Sequence, residues 1–114
     1  MSDCLFCKII GHEIPASIEY EDEHVLAFND INPQAPTHVL IVPKRHIATL
    51  SDLSAADDQL LGEIVRRAAA IAQARGIAPG GFRTVFNTNR DAGQTVFHIH
   101  LHLLAGRGLH WPPG

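Results

Sequence analysis

Hydrophobic and polar positions divide the chain into short clustered runs, one long continuous run and one stripe at helical spacing. Cys4 to Ile10 is a short apolar stretch stopped by Gly11 and Pro15, read as a short N-terminal helix. Ile18–Tyr20 and Val25–Phe28 predict two short strands on either side of the polar turn Glu21-Asp22-Glu23. Residues 37–43, rich in β-branched side chains, predict a buried strand closed by Pro43. The convincing helix follows. Ser54 is its expected N-cap, with Asp57 three residues on in a capping box. Leu60, Leu61, Ile64, Val65, Ala68, Ile71 and Ala72 recur at helical spacing, and Gly76 sits where a C-terminal glycine belongs. Phe82 to Asn87 and Val96 to Leu104 read as strands joined by the polar loop Thr88 to Gln94. Strands interrupted by one long helix point to an α+β fold, a mostly antiparallel five-stranded sheet with one long and one short helix.

The 114 residues are expected to form one domain spanning 1–114, with an irregular tail from about residue 106. At this length roughly 65% of the unfolded surface is buried on folding, enough for a core without disulfides. Nine Lys plus Arg against 12 Asp plus Glu give a net charge of −3, which argues against a nucleic-acid polymer as partner. A hydrophobic content of 46% argues against disorder. No apolar run reaches the roughly 20 residues of a membrane span, and Met1-Ser2-Asp3-Cys4 does not read as a secretion signal. Two cysteines make no disulfide scaffold, so a reduced, cytoplasmic setting is expected. The unusual number is eight histidines.

Three of them form His98-Ile99-His100-Leu101-His102. On a strand these imidazoles share one face, while Ile99, Leu101 and Leu103 point into the core. A solvated strand face does not call for three histidines. Residues two apart on a strand lie about 6.6 Å apart and those four apart about 13 Å. Zinc needs its nitrogens about 2.0–2.1 Å away. One ion cannot readily take all three, so they are expected to have different jobs. A neutral imidazole suits covalent transfer at phosphorus, and a protonated neighbour can stabilise charge on a phosphate oxygen.

That segment, together with Phe28 to His38, Val42-Pro-Lys-Arg-His46, the Gly93-Gln94-Thr95 lead-in and the ending His110 to Gly114, resembles the histidine triad family over nearly the whole chain. Within the family it is most similar to the nucleotide-binding, purine nucleoside phosphoramidase branch. The resemblance implies a nucleotidyl hydrolase of nucleoside 5′-phosphoramidates or related nucleoside monophosphate conjugates, working through a nucleotidyl-histidine intermediate. It implies that His100 is the nucleophile, His102 the histidine on the phosphate and His38 a supporting histidine, with Gln94 assisting catalysis. It implies that Asp30 accepts hydrogen bonds from the ribose hydroxyls. Asn87, Gly93, Gln94 and Thr95 then surround the phosphate and leaving group, and Leu5, Phe6, Ile9, Phe28, Ile31 and Leu40 wall the base. Read without the triad, Asp30 is turn material and the apolar residues are core. The chain departs from the branch at Thr95, usually Ser, and at Ala92, where a second Gly is common.

Cys4-Leu-Phe-Cys7 has metal-ligand spacing but is half a site, and two ordinary buried thiols are the alternative reading. The resemblance implies completion by His46 and His98, making a closed, structural Cys₂His₂ zinc site and leaving the chemical step without a metal. It also implies a homodimer in which the tail with Trp111 approaches the partner's nucleotide site. His12, His24 and His110 are read as surface residues. The competing class is a nucleotide-sensing or partner-binding module with vestigial hydrolysis.

Overall fold

The computed structural model describes residues 3–114; of the segment read as lacking a secretion signal, Met1 and Ser2 lie outside the described residues. Five strands, β1 (Ile18–Glu21), β2 (Val25–Asn29), β3 (Thr37–Pro43), β4 (Phe82–Val85) and β5 (Leu101–Ala105), form one sheet in the order β1-β2-β3-β5-β4. Every neighbouring pair is antiparallel. Helices α1 (Leu5–Ile10) and α2 (Asp58–Ala74) complete the α+β architecture expected from the pattern.

The two helices cover opposite faces of the sheet. Val25, Ala27, Val39, Ile41, Leu101 and Leu103 pack with Ile64, Ala68, Ile71 and Ala72 of α2. The alternate residues Leu26, Phe28, Leu40 and Val42 pack with Phe6 and Ile9 of α1. This explains the unbroken apolar run of β3, which lies between β2 and β5 and is buried at every position. In β5 the pattern alternates instead, so Leu101 and Leu103 enter the α2 core and His102 points to the α1 side, opposite Leu40. His38 stands on that same face of β3.

Three element boundaries differ from expectation, each for a local reason. Ser54 caps a 3₁₀ turn, Ala55–Asp57, and α2 begins after it; the reciprocal Ser54–Asp57 box is present. The strand expected from Phe82 to Asn87 ends at Val85. The strand expected from Val96 is regular only from Leu101, and residues 96–100 run through bends. Ile41 pairs with Leu101, so continued pairing would reach Pro43, which has no N–H for the ladder. The Pro43 carbonyl takes a side-chain donor instead, Nε2–H of His98 at 2.8 Å. Only His102 of the three triad histidines therefore lies on a strand.

Candidate active site and metal-ligand cluster

The bend before β5 separates the histidines as their spacing demanded, by a different route. His98 is fully buried and turns its Nδ1 toward Cys4 and Cys7 of α1 and its N-cap. His100 and His102 open onto a cavity of about 270 Å³ on the α1 side of the sheet. Ile99, Leu101 and Leu103 are buried as expected.

Fixed backbone groups assign a tautomer to each ring. The carbonyl of Pro43 can only accept, so His98 carries its proton on Nε2 and presents a lone pair at Nδ1. The carbonyl of His98 lies 2.8 Å from Nδ1 of His100, so that nitrogen is protonated and Nε2 of His100 is left with its lone pair free. The amide N–H of Gln34 donates to Nδ1 of His38 at 3.0 Å, which places the His38 proton on Nε2. That Nε2–H in turn donates to Nδ1 of His102 at 2.8 Å, leaving Nε2 of His102 as an N–H donor. Asp30 Oδ2 stands 3.5 Å from His38 Nε2.

Burial keeps these rings neutral. It pushes the His102 imidazole down to about 4, with help from neighbouring His100 and His38 and against the pull of Asp30. The same desolvation lowers His38, again opposed by Asp30, and lowers His100, opposed by its hydrogen bond to the His98 carbonyl and by Asp30. Phe6 packs edge-on against the His100 ring, with centroids 4.9 Å apart, and against Phe28 at 5.5 Å.

Of the residues expected at a nucleotide, Leu5, Phe6, Ile9, Phe28, Asp30, Ile31, Leu40, Thr95, His100 and His102 line the cavity. Asn87 and Gly93 do not line it, and His38 stands behind His102. Gln94 is turned away. Buried, it donates through its amide to the carbonyls of Ala48 (2.8 Å) and Val96 (3.1 Å) and accepts the N–H of Asn89 at 2.9 Å. Both of its donor hydrogens are spent on backbone, so it pins the loop ahead of β5. Gly93 adopts φ +82° with open space around it, so the backbone conformation is what calls for glycine there. Ile14, Pro15, Ala16, Asn29 and Val96 also line the cavity. Nothing in their residue types separates them from turn and core residues.

Cys4, Cys7, His46 and His98 converge, their ligand atoms all within 4.8 Å of one another. Nδ1 of His98 is 3.5 Å from each sulfur; Nδ1 of His46 is 3.4 Å from Cys7 Sγ and 3.2 Å from Nδ1 of His98. His12, His24 and His110 are exposed, with His12 3.4 Å from Glu21. A larger open crevice of about 410 Å³ lies by Lys44 and Arg45, whose charges are paired with Glu21 and Asp57.

The family profile described as scavenger mRNA decapping enzyme C-terminal binding matches residues 3–109. A solved HIT family hydrolase from Legionella pneumophila superposes with a TM-score of 0.97 at 57% identity, covering 98% of this chain and all of that one. The chain belongs to the histidine triad (HIT) family. Another HIT structure, a histidine triad protein from Clostridium difficile, gives a TM-score of 0.93 at 44% identity, with 96% of each chain covered. A curated HIT relative, the purine nucleoside phosphoramidase of Escherichia coli K12, is 53% identical over 107 residues, 94% of this chain and 90% of its own.

Proposed function

We propose that this HIT protein is a nucleotidyl hydrolase that cleaves nucleoside 5′-phosphoramidates, or related nucleoside monophosphate conjugates, through a covalent intermediate on His100. The observation that carries the reading is the tautomer of His100, whose protonated Nδ1 is held by a backbone carbonyl and whose free Nε2 opens on the cavity. The purine preference follows the name of the Escherichia coli relative; the apolar walls of Leu5, Phe6, Ile9, Phe28 and Leu40 accept a flat base without reading its edges. Asp30, at the cavity rim, is suited to accept the ribose hydroxyls.

In the first step Nε2 of His100 forms a bond to phosphorus as the bond to the leaving amine breaks and its electron pair departs with the amine. The amine takes the Nε2 proton of His102, the one proton of the His102–His38 pair that faces the cavity, and Nδ1 of His102 draws on the Nε2–H of His38 as it leaves. In the second step water forms the P–O bond, the P–Nε2 bond breaks, and a proton of that water returns to the pair. Before the transfer to the amine, Nε2–H of His102 is a donor for phosphate oxygen, and Thr95 is the nearby hydroxyl for the leaving group.

The Cys4–Cys7–His46–His98 cluster fits zinc. A tetrahedral shell with Zn–N of about 2.0–2.1 Å and Zn–S of about 2.3 Å sets nitrogens about 3.3 Å apart and sulfur about 3.5 Å from nitrogen. The spacings here are 3.2 Å and 3.4–3.5 Å. Four such ligands would close the shell of a zinc ion, which would tie α1 to the segments around His46 and His98, a structural role outside the chemical step. A homodimer is part of the same reading, supported by Trp111, 84% exposed, and by the exposed Val65 of α2 and Phe82 of the edge strand β4. A cytoplasmic setting accords with a thiol-based metal site; among the described residues no helix is long and apolar enough to cross a membrane.

The test is turnover of a fluorogenic adenosine phosphoramidate, with intact-mass detection of a nucleotidyl adduct. Turnover that vanishes in His100→Ala, with an adduct mapped to His100, supports the reading. Nucleotide binding without turnover favours the sensing module.

A further inference from the structure

A line of hydrogen bonds leads from the imidazole pair to the chain just beyond β5. The loop between β2 and β3 has no regular secondary structure, and Ile31 to Gln34 are exposed. Its inner contacts are Asn32 N–H to Asp30 Oδ1 at 2.8 Å and the Gln34 side-chain amide to the Asn32 carbonyl at 3.0 Å. From outside the loop, Arg107 donates through Nε to the carbonyl of Gln34 at 3.1 Å, while its Nη1 donates to the carbonyl of Gly108 at 2.9 Å. Beside it Gly106, at φ +94°, lies so close to Pro36 that a Cβ would stand 2.8 Å from the proline Cβ. The pairing of Thr37 with Ala105 brings these two segments together.

We propose that Arg107 is a positioning residue for the His38–His102 pair, acting through Gln34. The proposal rests on reading that pair as the site's proton carrier. Arg107 holds the Gln34 residue whose N–H faces Nδ1 of His38. With that N–H in place, Nδ1 of His38 must accept, and both rings keep their protons on Nε2. When the Gln34 amide drifts, Nδ1 of His38 is free to take the proton. The contact with His102 then reverses, and His102 turns a lone pair toward the cavity where it had an N–H donor. A lone pair repels phosphate oxygen. Gly106 supports the same arrangement by leaving room for Pro36 to lie close, so the clamp has a steric half and a hydrogen-bonded half.

The experiment compares wild type, Arg107→Ala, Arg107→Lys and Gly106→Ala by kinetics on an adenosine phosphoramidate and by side-chain ¹⁵N NMR of His38 and His102. In Arg107→Ala, kcat is expected to fall about 3- to 10-fold, the worth of one hydrogen bond, with KM within about twofold. The ¹⁵N shifts of both rings are expected to move toward the Nδ1–H form. Arg107→Lys, which keeps a donor, recovers most of the loss, and Gly106→Ala moves the same shifts without touching the guanidinium. Unchanged ring shifts in Arg107→Ala overturn the proposal, whether or not kcat falls. A wild-type protein that does not turn over the phosphoramidate sinks the hydrolase reading, and the ring shifts then decide the positioning role alone.

Discussion

The imidazoles of His38 and His102, sixty-four residues apart in sequence, face each other with Nε2 and Nδ1 separated by 2.8 Å. Each stands on a different strand of the β3–β5 pair, so the contact is set by sheet register and not by loop placement. If the pair works as one proton carrier, its members are strongly coupled. His38→Ala and His102→Ala are each expected to lower kcat by about 10²-fold, the usual worth of a general acid–base group. The double variant should lose little more than the worse single one, because either change breaks the same contact. Steady-state kinetics on the three variants checks this; fully additive losses would show that the rings act separately.

Acid should weaken the fold through these same rings. His102 titrates at about 4 in the folded chain, against about 6.5 in an unfolded one. Between these values the unfolded chain binds more protons, so stability is complete above about pH 6.5 and falls as pH drops toward 4. His38 is lowered in the same direction and adds to the slope. The contribution of His102 is on the order of 2–3 kcal/mol. Thermal midpoints measured from pH 7 to 4 should show the decline, and His102→Gln should flatten it by about one proton.

A second acid limb belongs to the β1–β2 turn. Burial pushes the Asp22 carboxyl up, but the Tyr20 hydroxyl at 2.7 Å and the N–H groups of His24 and Val25 outweigh it and bring the group down to about 2. Its contribution is present above about pH 4 and is lost as pH falls toward 2. Asp22→Ala should cost about 1 kcal/mol near neutrality, allowing for the solvent that reaches the turn, and remove that limb. Urea unfolding at pH 7 and pH 3 measures both.

Chelation separates a structural metal from a catalytic one. Removing zinc, or replacing Cys4 and Cys7 with Ser, should lower the thermal midpoint by about 10 °C or more. Turnover per folded molecule should stay within a few-fold. Protein purified without chelator should carry close to one zinc per chain by elemental analysis. Well under one equivalent, or an intact fold with abolished turnover after mild chelation, would reverse the division of roles among the histidines.

The sheet was legible because burial on two faces leaves a plain mark: the apolar run of β3 has no alternation to hide. The α2 stripe was legible except at Val65, half exposed here, since periodicity reports an apolar position without naming what covers it. That one ion could not take all three triad histidines followed from spacing, and they do stand apart, yet the device that separates them was not legible. A bend at residues 96–100 depends on the Pro43 carbonyl, 55 positions from His98, and such pairings leave no local pattern. Gln94 shows the limit most clearly. Its type and place beside Gly93 suit phosphate contact, but its amide is consumed by the carbonyls of Ala48 and Val96. A side chain's hydrogen-bond capacity can be counted from sequence, whereas its expenditure is visible only in three dimensions.

Helices on both faces of the sheet and neighbours on both edges of β3 and β5 place His38 and His102 on the strands whose amides should exchange with solvent most slowly. The cavity wall opposite them is a helix of only six residues and an irregular loop. The sheet side of the pocket is thus held by strand pairing as well as by packing, and the α1 side by packing alone among backbone and core contacts. Whatever ligand the cavity takes, the alignment of the two imidazoles is therefore set by the part of the molecule that opens last.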